Sequence, residues 1–420
     1  MAHDHASLTG RLRWAEDGLQ PPYFHFLSLH PFPFAFHKKY MEAMENHFKK
    51  RGEEMEIKKI AVLGAGAMGH GIAQVAAMSG FEVNLMDIKD EFLEAGMEKI
   101  KWSLDKLVQK GRISQEDADN TLKRIKKFLS VGEAVKDADF MIEAIPEKLD
   151  LKKQAFAEAD KNAPKHAILA SNTSALPISE IASATTRPEK VVGMHFFNPP
   201  QLMRLVEVVR GEKTSDETVR ITVELAKKFG KEPVIVNKDV PGFIANRCTI
   251  MGSNLVHWMV YNGEYTIEEV DAAAIHKAGM PMGMFGLLDY TGIDIAYSVA
   301  KFMEEREPGF KVSPLLEEKV KKGELGVKTG KGFYEYPEKK WVPLDLPFEK
   351  AEKFDPFIPT YVGINVAAEL LRNGVATRDD IDKALKLGFN LPMGFLELAD
   401  SIGNRCGGPE AQGDFGQVWT

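Results

Sequence analysis

His195 and Glu207 are the side chains of this 420-residue sequence whose types and spacing first suggest proton chemistry. The histidine sits in VVGMHFFNPP, between a short apolar run and two prolines, and the carboxylate follows 12 residues later in LMRLVEVV. An unperturbed imidazole titrates near neutrality, so it can take up or release a proton under ordinary conditions. A carboxylate within reach can hold its tautomer and stabilise the imidazolium. Ser174, the last residue of SNTS, and Asn246, in FIANR, add a hydroxyl and an amide. Oxidation of an alcohol needs a hydride acceptor, a base for the hydroxyl proton, and donors that polarise the developing carbonyl. His195 suits the base, Glu207 its support, and Ser174 and Asn246 the donors. Each also has a plainer reading. A histidine on an apolar run is more often packed than reactive, Ser174 can cap the helix of ALPISEIA, Asn246 can lie on a helix surface, and Glu207 can end a strand in solvent.

The missing hydride acceptor has its own signal upstream. Gly64, Gly66 and Gly69 form GxGxxG after the apolar run Ile60–Leu63, and small residues then open a helical pattern through Met68, Ile72, Val75 and Ala76. A second strand-like run, FEVNLMD, ends at Asp87, 18 residues past Gly69. Strand, glycine turn, helix and acidic strand end together make the dinucleotide-binding fingerprint. Gly64 serves the tight turn, Gly66 the approach of a pyrophosphate, and Gly69 the close packing of helix on strand. The helix N-terminus offers unpaired N–H groups to the phosphates. Asp87 can accept from ribose hydroxyls and repels a 2′-phosphate, so NAD is expected rather than NADP. The plainer reading is a glycine-rich turn with no ligand.

These residues need a frame. ADFMIEAIP, HAILASNTS, VVGMHFFNPP, LMRLVEVVRG and EPVIVNKD read as further strands alternating with helices, which predicts a mostly parallel sheet covered on both faces. Ligands bind such sheets beyond the carboxyl ends of the strands, where SNTS and His195 both fall. Residues 90–129 read as an inserted helical hairpin, broken at Gly111, with Ser114 and Asp117 as a capping box. After PGFIANR the pattern is helical. There NGEYTIEEVDAAAIHKAGMPMGMFGLLDYTG recurs, without a gap, as NGVATRDDIDKALKLGFNLPMGFLELADSIG at a constant offset of 111 residues. A duplicated helical unit is expected, its copies packed on one another.

Composition narrows the class. Hydrophobic residues make up 44% and charged residues 27%, as in an ordinary globular protein of two to three domains. A net charge of −7 argues against nucleic acid as the main partner. The two cysteines, Cys248 and Cys406, form no CxxC pair, so neither a zinc site nor a disulfide framework is indicated, and a reducing cytoplasm fits. No apolar run is long enough to span a bilayer. Residues 1–55, rich in His, Phe and Pro, read as an unassigned extension.

In combination, GAGAMG, EAIPE, SNTSALPISEIA, GMHFFNPPQLMRLVEVV, PGFIANR, PMGMFGLLDYTGID and GVKTGKGFY resemble the L-3-hydroxyacyl-CoA dehydrogenase family over roughly residues 57–336, in the family's order. The helical repeat resembles the second helical domain of the family's multidomain members. The resemblance implies a Rossmann-type NAD-binding domain (56–239) with the hairpin as substrate clamp, an all-α domain (240–340) that forms a homodimer, a partial copy of it (350–404) and a tail (405–420). It implies His195 as catalytic base with Glu207 as its partner, and Ser174 and Asn246 as the substrate-polarising pair. It adds Met68, Glu147, Lys152, Asn198 and Lys328, with Ser174, to the glycines and Asp87 as NAD contacts, and Ser103 and Lys110 as contacts for coenzyme A. The implied substrate is an acyl-CoA. Some members carry an enoyl-CoA hydratase domain; nothing in this chain resembles one, so it is expected on further sequence or a partner. Two other readings compete: a dehydrogenase of a small hydroxy acid or sugar acid on the same fold, and a non-catalytic NAD-binding or structural member.

Overall fold

The structure, a computed structural model, describes residues 56–406. The expected extension over 1–55 and most of the tail expected over 405–420 lie outside the described residues. Eight strands among them form one sheet: β1 (Lys59–Leu63), β2 (Glu82–Met86), β3 (Ile125–Phe128), β4 (Phe140–Glu143), β5 (Ile168–Ser171), β6 (Val191–Phe196), β7 (Leu205–Val209) and β8 (Glu232–Val236). Their order is β3-β2-β1-β4-β5-β6-β7-β8. All neighbours run parallel except β6 and β7, which are antiparallel. The centre of the sheet is covered on both faces, which is why β4 and β5 are buried at every position, and β1 at all but its first, rather than alternating.

Helices α1 (Gly69–Met78), α2 (Asp90–Gln109), α3 (Gln115–Lys123), α4 (Val131–Val135), α5 (Leu149–Asn162), α6 (Ile178–Ala182) and α7 (Asp216–Lys228) complete this part. The hairpin is α2 and α3, and the Ser114–Asp117 capping box is present at the start of α3. It is shorter than expected. Residues 125–128 are not helix but the edge strand β3, paired with β2. IKKF carries two exposed lysines beside buried Ile125, a pattern that reads as a charged helix face but equally suits an edge strand guarded against further pairing.

The rest is helical: α8 (Ala245–Tyr261), α9 (Ile267–His276), α10 (Met284–Thr291), α11 (Ile293–Arg306), α12 (Pro314–Lys321), α13 (Ile358–Arg372), α14 (Arg378–Gly388) and α15 (Phe395–Cys406). The repeat holds down to individual hydrogen bonds. Asp271 accepts from the amides of Phe285 and Gly286 at 2.8 and 2.9 Å, and Asp382, 111 residues on, accepts from Leu396 and Glu397 at 2.9 and 3.1 Å. Thr266 and Thr377 cap α9 and α14 in the same way.

The copies meet where α8 crosses α13. A Cβ on Gly252 would stand 2.2 Å from the Pro359 carbonyl oxygen, and one on Gly363 would stand 2.9 Å from that of Cys248. Gly363 is the repeat equivalent of Gly252, and Pro359 of Cys248. The contact is therefore reciprocal, as at the interface of a two-fold dimer. No described helix is long and apolar enough to cross a membrane.

Candidate active site

A crevice of about 980 Å³ opens beyond the carboxyl ends of β1, β2, β4 and β5, with α2 and α11 along its rim. That size is at the upper end for a small-molecule site and suits an extended ligand. Of the expected residues, Gly64, Gly66, Met68, Asp87, Glu147, Lys152 and Ser174 line it. His195, Glu207, Asn246, Asn198, Lys328, Ser103, Lys110 and Gly69 are not among the lining residues.

The turn after β1 fits a dinucleotide. Gly64 has φ +97° and lies against Ala144 of the neighbouring strand end, where a Cβ would fall 2.6 Å from a carbonyl oxygen. A Cβ on Gly69 would fall 1.8 Å from the Gly64 oxygen, so α1 sits as close to the turn as glycine permits. A Cβ on Gly66 would meet nothing within 4 Å: this residue faces open space, as the approach of a pyrophosphate requires. Asp87 accepts the Ala65 amide at 2.7 Å through Oδ2 and the Ile88 amide at 2.7 Å through Oδ1. It thus ties the glycine turn to the end of β2 while its remaining lone pairs stay available to ribose hydroxyls.

Beside this turn lies a polar knot that the sequence only half revealed. Lys152 is 1% exposed, with Nζ 2.6 Å from Glu143 Oε1 and 3.1 Å from Glu147 Oε2. Burial is the largest influence on this ammonium and opposes it, but the two carboxylates outweigh burial and hold its pKa above the ordinary value. Glu143 also accepts from Ser171 Oγ at 2.6 Å, and Glu147 accepts from Thr173 Oγ1 at 2.5 Å and from the Ser174 amide at 2.9 Å. The sequence signal for Glu143 is a lone acid inside the apolar run FMIEA, where an unpaired charge would be costly.

His195 and Glu207 are direct register partners across β6 and β7. Nδ1 of the imidazole lies 2.7 Å from Glu207 Oε2, and both residues are buried. The other carboxylate oxygen accepts from the amides of Ile244 and Ala245 at 3.1 and 2.9 Å, at the start of α8. Glu207 is therefore not a solvated strand end: backbone donors fix one oxygen and the imidazole takes the other. Nδ1–H donates to the carboxylate, which leaves Nε2 as the free acceptor. Phe197 and Phe243 flank the ring, with centroids 4.6 and 5.8 Å from it. Phe243 is fully buried at φ +53°, a conformation that costs a bulky residue on the order of 1–3 kcal/mol and persists only where the surroundings impose it.

Ser174 is not the cap of the following helix, which starts at Ile178 with Pro177 before it. Asn246 is the second residue of α8, half-buried, and its Nδ2 donates to the Ser174 carbonyl at 3.4 Å. The SNTS turn also reaches the histidine strand, since Asn172 Oδ1 accepts the Phe196 amide at 2.9 Å.

The remaining candidates are more dispersed. Asn198 is exposed, at a cis bond to Pro199. Lys328 Nζ pairs with Asp294 at 2.5 Å, and it is Asp294 that lines the crevice. Ser103 accepts from Gln74 Nε2 at 3.0 Å, and Gln74 Oε1 accepts from Gln201 at 3.2 Å, linking the hairpin to the segment after His195. Lys110 is exposed at the end of α2.

Known proteins share this frame. The family model described as 3-hydroxyacyl-CoA dehydrogenase, NAD binding domain, matches residues 59–240, and the corresponding C-terminal domain matches 242–336 and again 361–412. The chain belongs to the 3-hydroxyacyl-CoA dehydrogenase family. The second C-terminal match coincides with the internal repeat.

A probable 3-hydroxybutyryl-CoA dehydrogenase of Bacillus subtilis is 44% identical over 68% of this chain and 99% of its own length. A peroxisomal fatty acid beta-oxidation multifunctional protein of Arabidopsis thaliana is 35% identical over 83% of this chain, which spans about half (51%) of that protein. The crystal structure of an Escherichia coli 3-hydroxybutyryl-CoA dehydrogenase superposes with a TM-score of 0.73 at 28% identity, covering 84% of this chain and 92% of that one. As a member of this family the protein is an NAD-dependent oxidoreductase acting on 3-hydroxyacyl-CoA.

Proposed function

We propose that His195 is the base that takes the 3-hydroxyl proton of an L-3-hydroxyacyl-CoA, in fatty-acid oxidation or butanoate-type metabolism. The observation that carries this reading is the buried His195–Glu207 pair at 2.7 Å, which engages Nδ1 and leaves Nε2 to meet a substrate proton. NAD bound along the crevice supplies the hydride acceptor. As C3 gives up its hydride, the hydroxyl proton passes to Nε2, and Glu207, already held by two backbone amides, stabilises the imidazolium. Ser174 and Asn246 act as donors to the developing carbonyl oxygen, and their mutual contact supports a joint role. Asp87 takes the adenosine ribose. Glu147 and Lys152 hold the SNTS turn at the cofactor, and Asn198, Lys328, Ser103 and Lys110 are proposed as outer contacts to cofactor and coenzyme A.

The test is turnover of acetoacetyl-CoA with NADH by His195→Gln. We expect a loss of about a hundredfold or more, as for removal of a general base. Parental turnover with NADH still bound would end this reading. Rates on acyl-CoA thioesters against free hydroxy acids decide the small-acid alternative.

For assembly, the reciprocal Gly252/Pro359 and Gly363/Cys248 contacts favour a second reading over the implied homodimer. The second helical copy packs on α8 within the same chain, so we propose one self-sufficient catalytic unit per chain. Light scattering of the full chain should give the monomer mass.

A further inference from the structure

We infer that Phe389, just past the end of α14 in the second helical copy, is a positioning residue for His195 and acts through Phe197. The inference rests on the reading of His195 as the base.

Phe197 follows the last residue of β6, so its ring has no partner in the sheet ladder. It packs tilted against the imidazole, with centroids 4.6 Å apart and planes at 47°, and it meets Phe389 edge-to-face, with centroids 6.2 Å apart and planes at 87°. Edge-to-face contact of this kind restricts the orientation of both rings. Gly388 brings α14 as near as a residue without a side chain allows. A Cβ there would fall 3.0 Å from Phe197 Cε1 and 3.0 Å from Leu205 Cδ2, and Leu205 lies two residues before Glu207.

The same copy reaches the other half of the pair. Helix α13 packs along α8, and the amides at the start of α8 hold Glu207. One apolar cluster runs from Phe197, Leu205 and Phe243 into Ala384 and Leu385 of α14, whereas the core of the first copy around Val270 and Phe285 is a separate cluster.

The repeat contains its own comparison. The turn after α14 has Asn390 at φ +53°, and its equivalent after α9 has Gly279 at φ +67°. At that matching turn Gly388 and Phe389 are replaced by Lys277 and Ala278. Lys277 Nζ holds the carbonyls of Glu352 and Phe354 in the segment between the copies. The fold of the unit is therefore met without an aromatic ring at this position. The ring is present in the copy that faces His195.

A tilted imidazole misplaces Nε2 from the hydroxyl it must meet, which lowers the rate of the chemical step while leaving cofactor contacts on β1 and β2 alone. The experiment uses the full chain with Phe389→Ala, Phe389→Tyr and His195→Gln, assayed with acetoacetyl-CoA and NADH across pH. For Phe389→Ala we expect kcat to fall about tenfold with the KM for NADH within about twofold of the parent, as for a displaced catalytic group. We also expect a displaced pH–kcat profile, and recovery of kcat in Phe389→Tyr.

Parental kcat and pH profile in Phe389→Ala overturn the inference. So does a fall in kcat matched by an equal rise in the KM for NADH, with no recovery in Phe389→Tyr. If Phe389→Ala does not fold, Gly388→Ala decides in its place by pressing on Phe197 with the aromatic ring kept, and parental kcat there overturns the inference. Full activity in His195→Gln would overturn the reading of the base itself. An inactive His195→Gln beside a fully active Phe389→Ala would overturn the positioning role alone.

Discussion

Glu207 stands directly opposite His195 across the only antiparallel ladder among the described strands, its Oε2 2.7 Å from the imidazole Nδ1. The chain reverses after β6 instead of crossing over, and that reversal turns a 12-residue separation into a cross-strand pair. Side chains so paired face the same side of the sheet at close range. Glu207→Gln keeps an oxygen for the two amides but sets an NH₂ against Nδ1, so the imidazole must turn its other tautomer outward. We expect kcat to fall by about a hundredfold or more, with unfolding little changed. Parental kcat in a steady-state assay would remove Glu207 from the mechanism.

Asp87 binds the glycine turn and faces the crevice at once. Asp87→Asn removes the charge that repels a 2′-phosphate and keeps an acceptor for the Ala65 amide. The ratio of kcat/KM for NAD over NADP is expected to fall by about tenfold, equivalent to 1.4 kcal/mol. An unchanged ratio would show that cofactor choice lies elsewhere.

Gly252 and Gly363 make repeat-related contacts at one helix crossing. Gly252→Val or Gly363→Val forces a side chain against backbone and should cost about 1–3 kcal/mol each in urea unfolding. If neither is destabilised, the crossing is looser than this close approach implies.

Lys231 is buried with no carboxylate partner among the described residues; its Nζ donates to the carbonyls of Pro200 at 2.5 Å and Met203 at 2.8 Å, on the segment after Asn198. Burial lowers its pKa from 10.5 to about 8. Between these values the unfolded chain binds a proton that the folded one does not, so this residue makes stability rise with pH from about 8 to 10.5. Lys231→Met should flatten that rise relative to the parent. Urea midpoints at pH 7.5 and pH 10 for both proteins check it, and parallel curves would contradict the assignment.

Much of the site was legible in the residues because the chemistry demands particular types. Gly64 and Gly69 are set by steric limits that only glycine meets, and Asp87 by its place at a strand end, so local sequence sufficed. The helical duplication showed at a constant offset because both copies need the same cap, aspartate and glycine. The edge strand β3 was missed because Lys126 and Lys127 suit an exposed helix face as well as a sheet edge. Glu143 was passed over because its partners, Lys152 and Ser171, come from other elements.

By itself, then, the sequence determined which groups are present: an imidazole, a carboxylate, a glycine turn and a repeated helical unit. Their meeting was decided by tertiary structure. Register across β6 and β7 joins His195 to Glu207, the start of α8 supplies the amides that hold the carboxylate, and the second copy places Phe389 behind Phe197. These contacts join residues from separate elements, and their geometry exists only once apolar burial has closed the sheet and the helical copies onto one core.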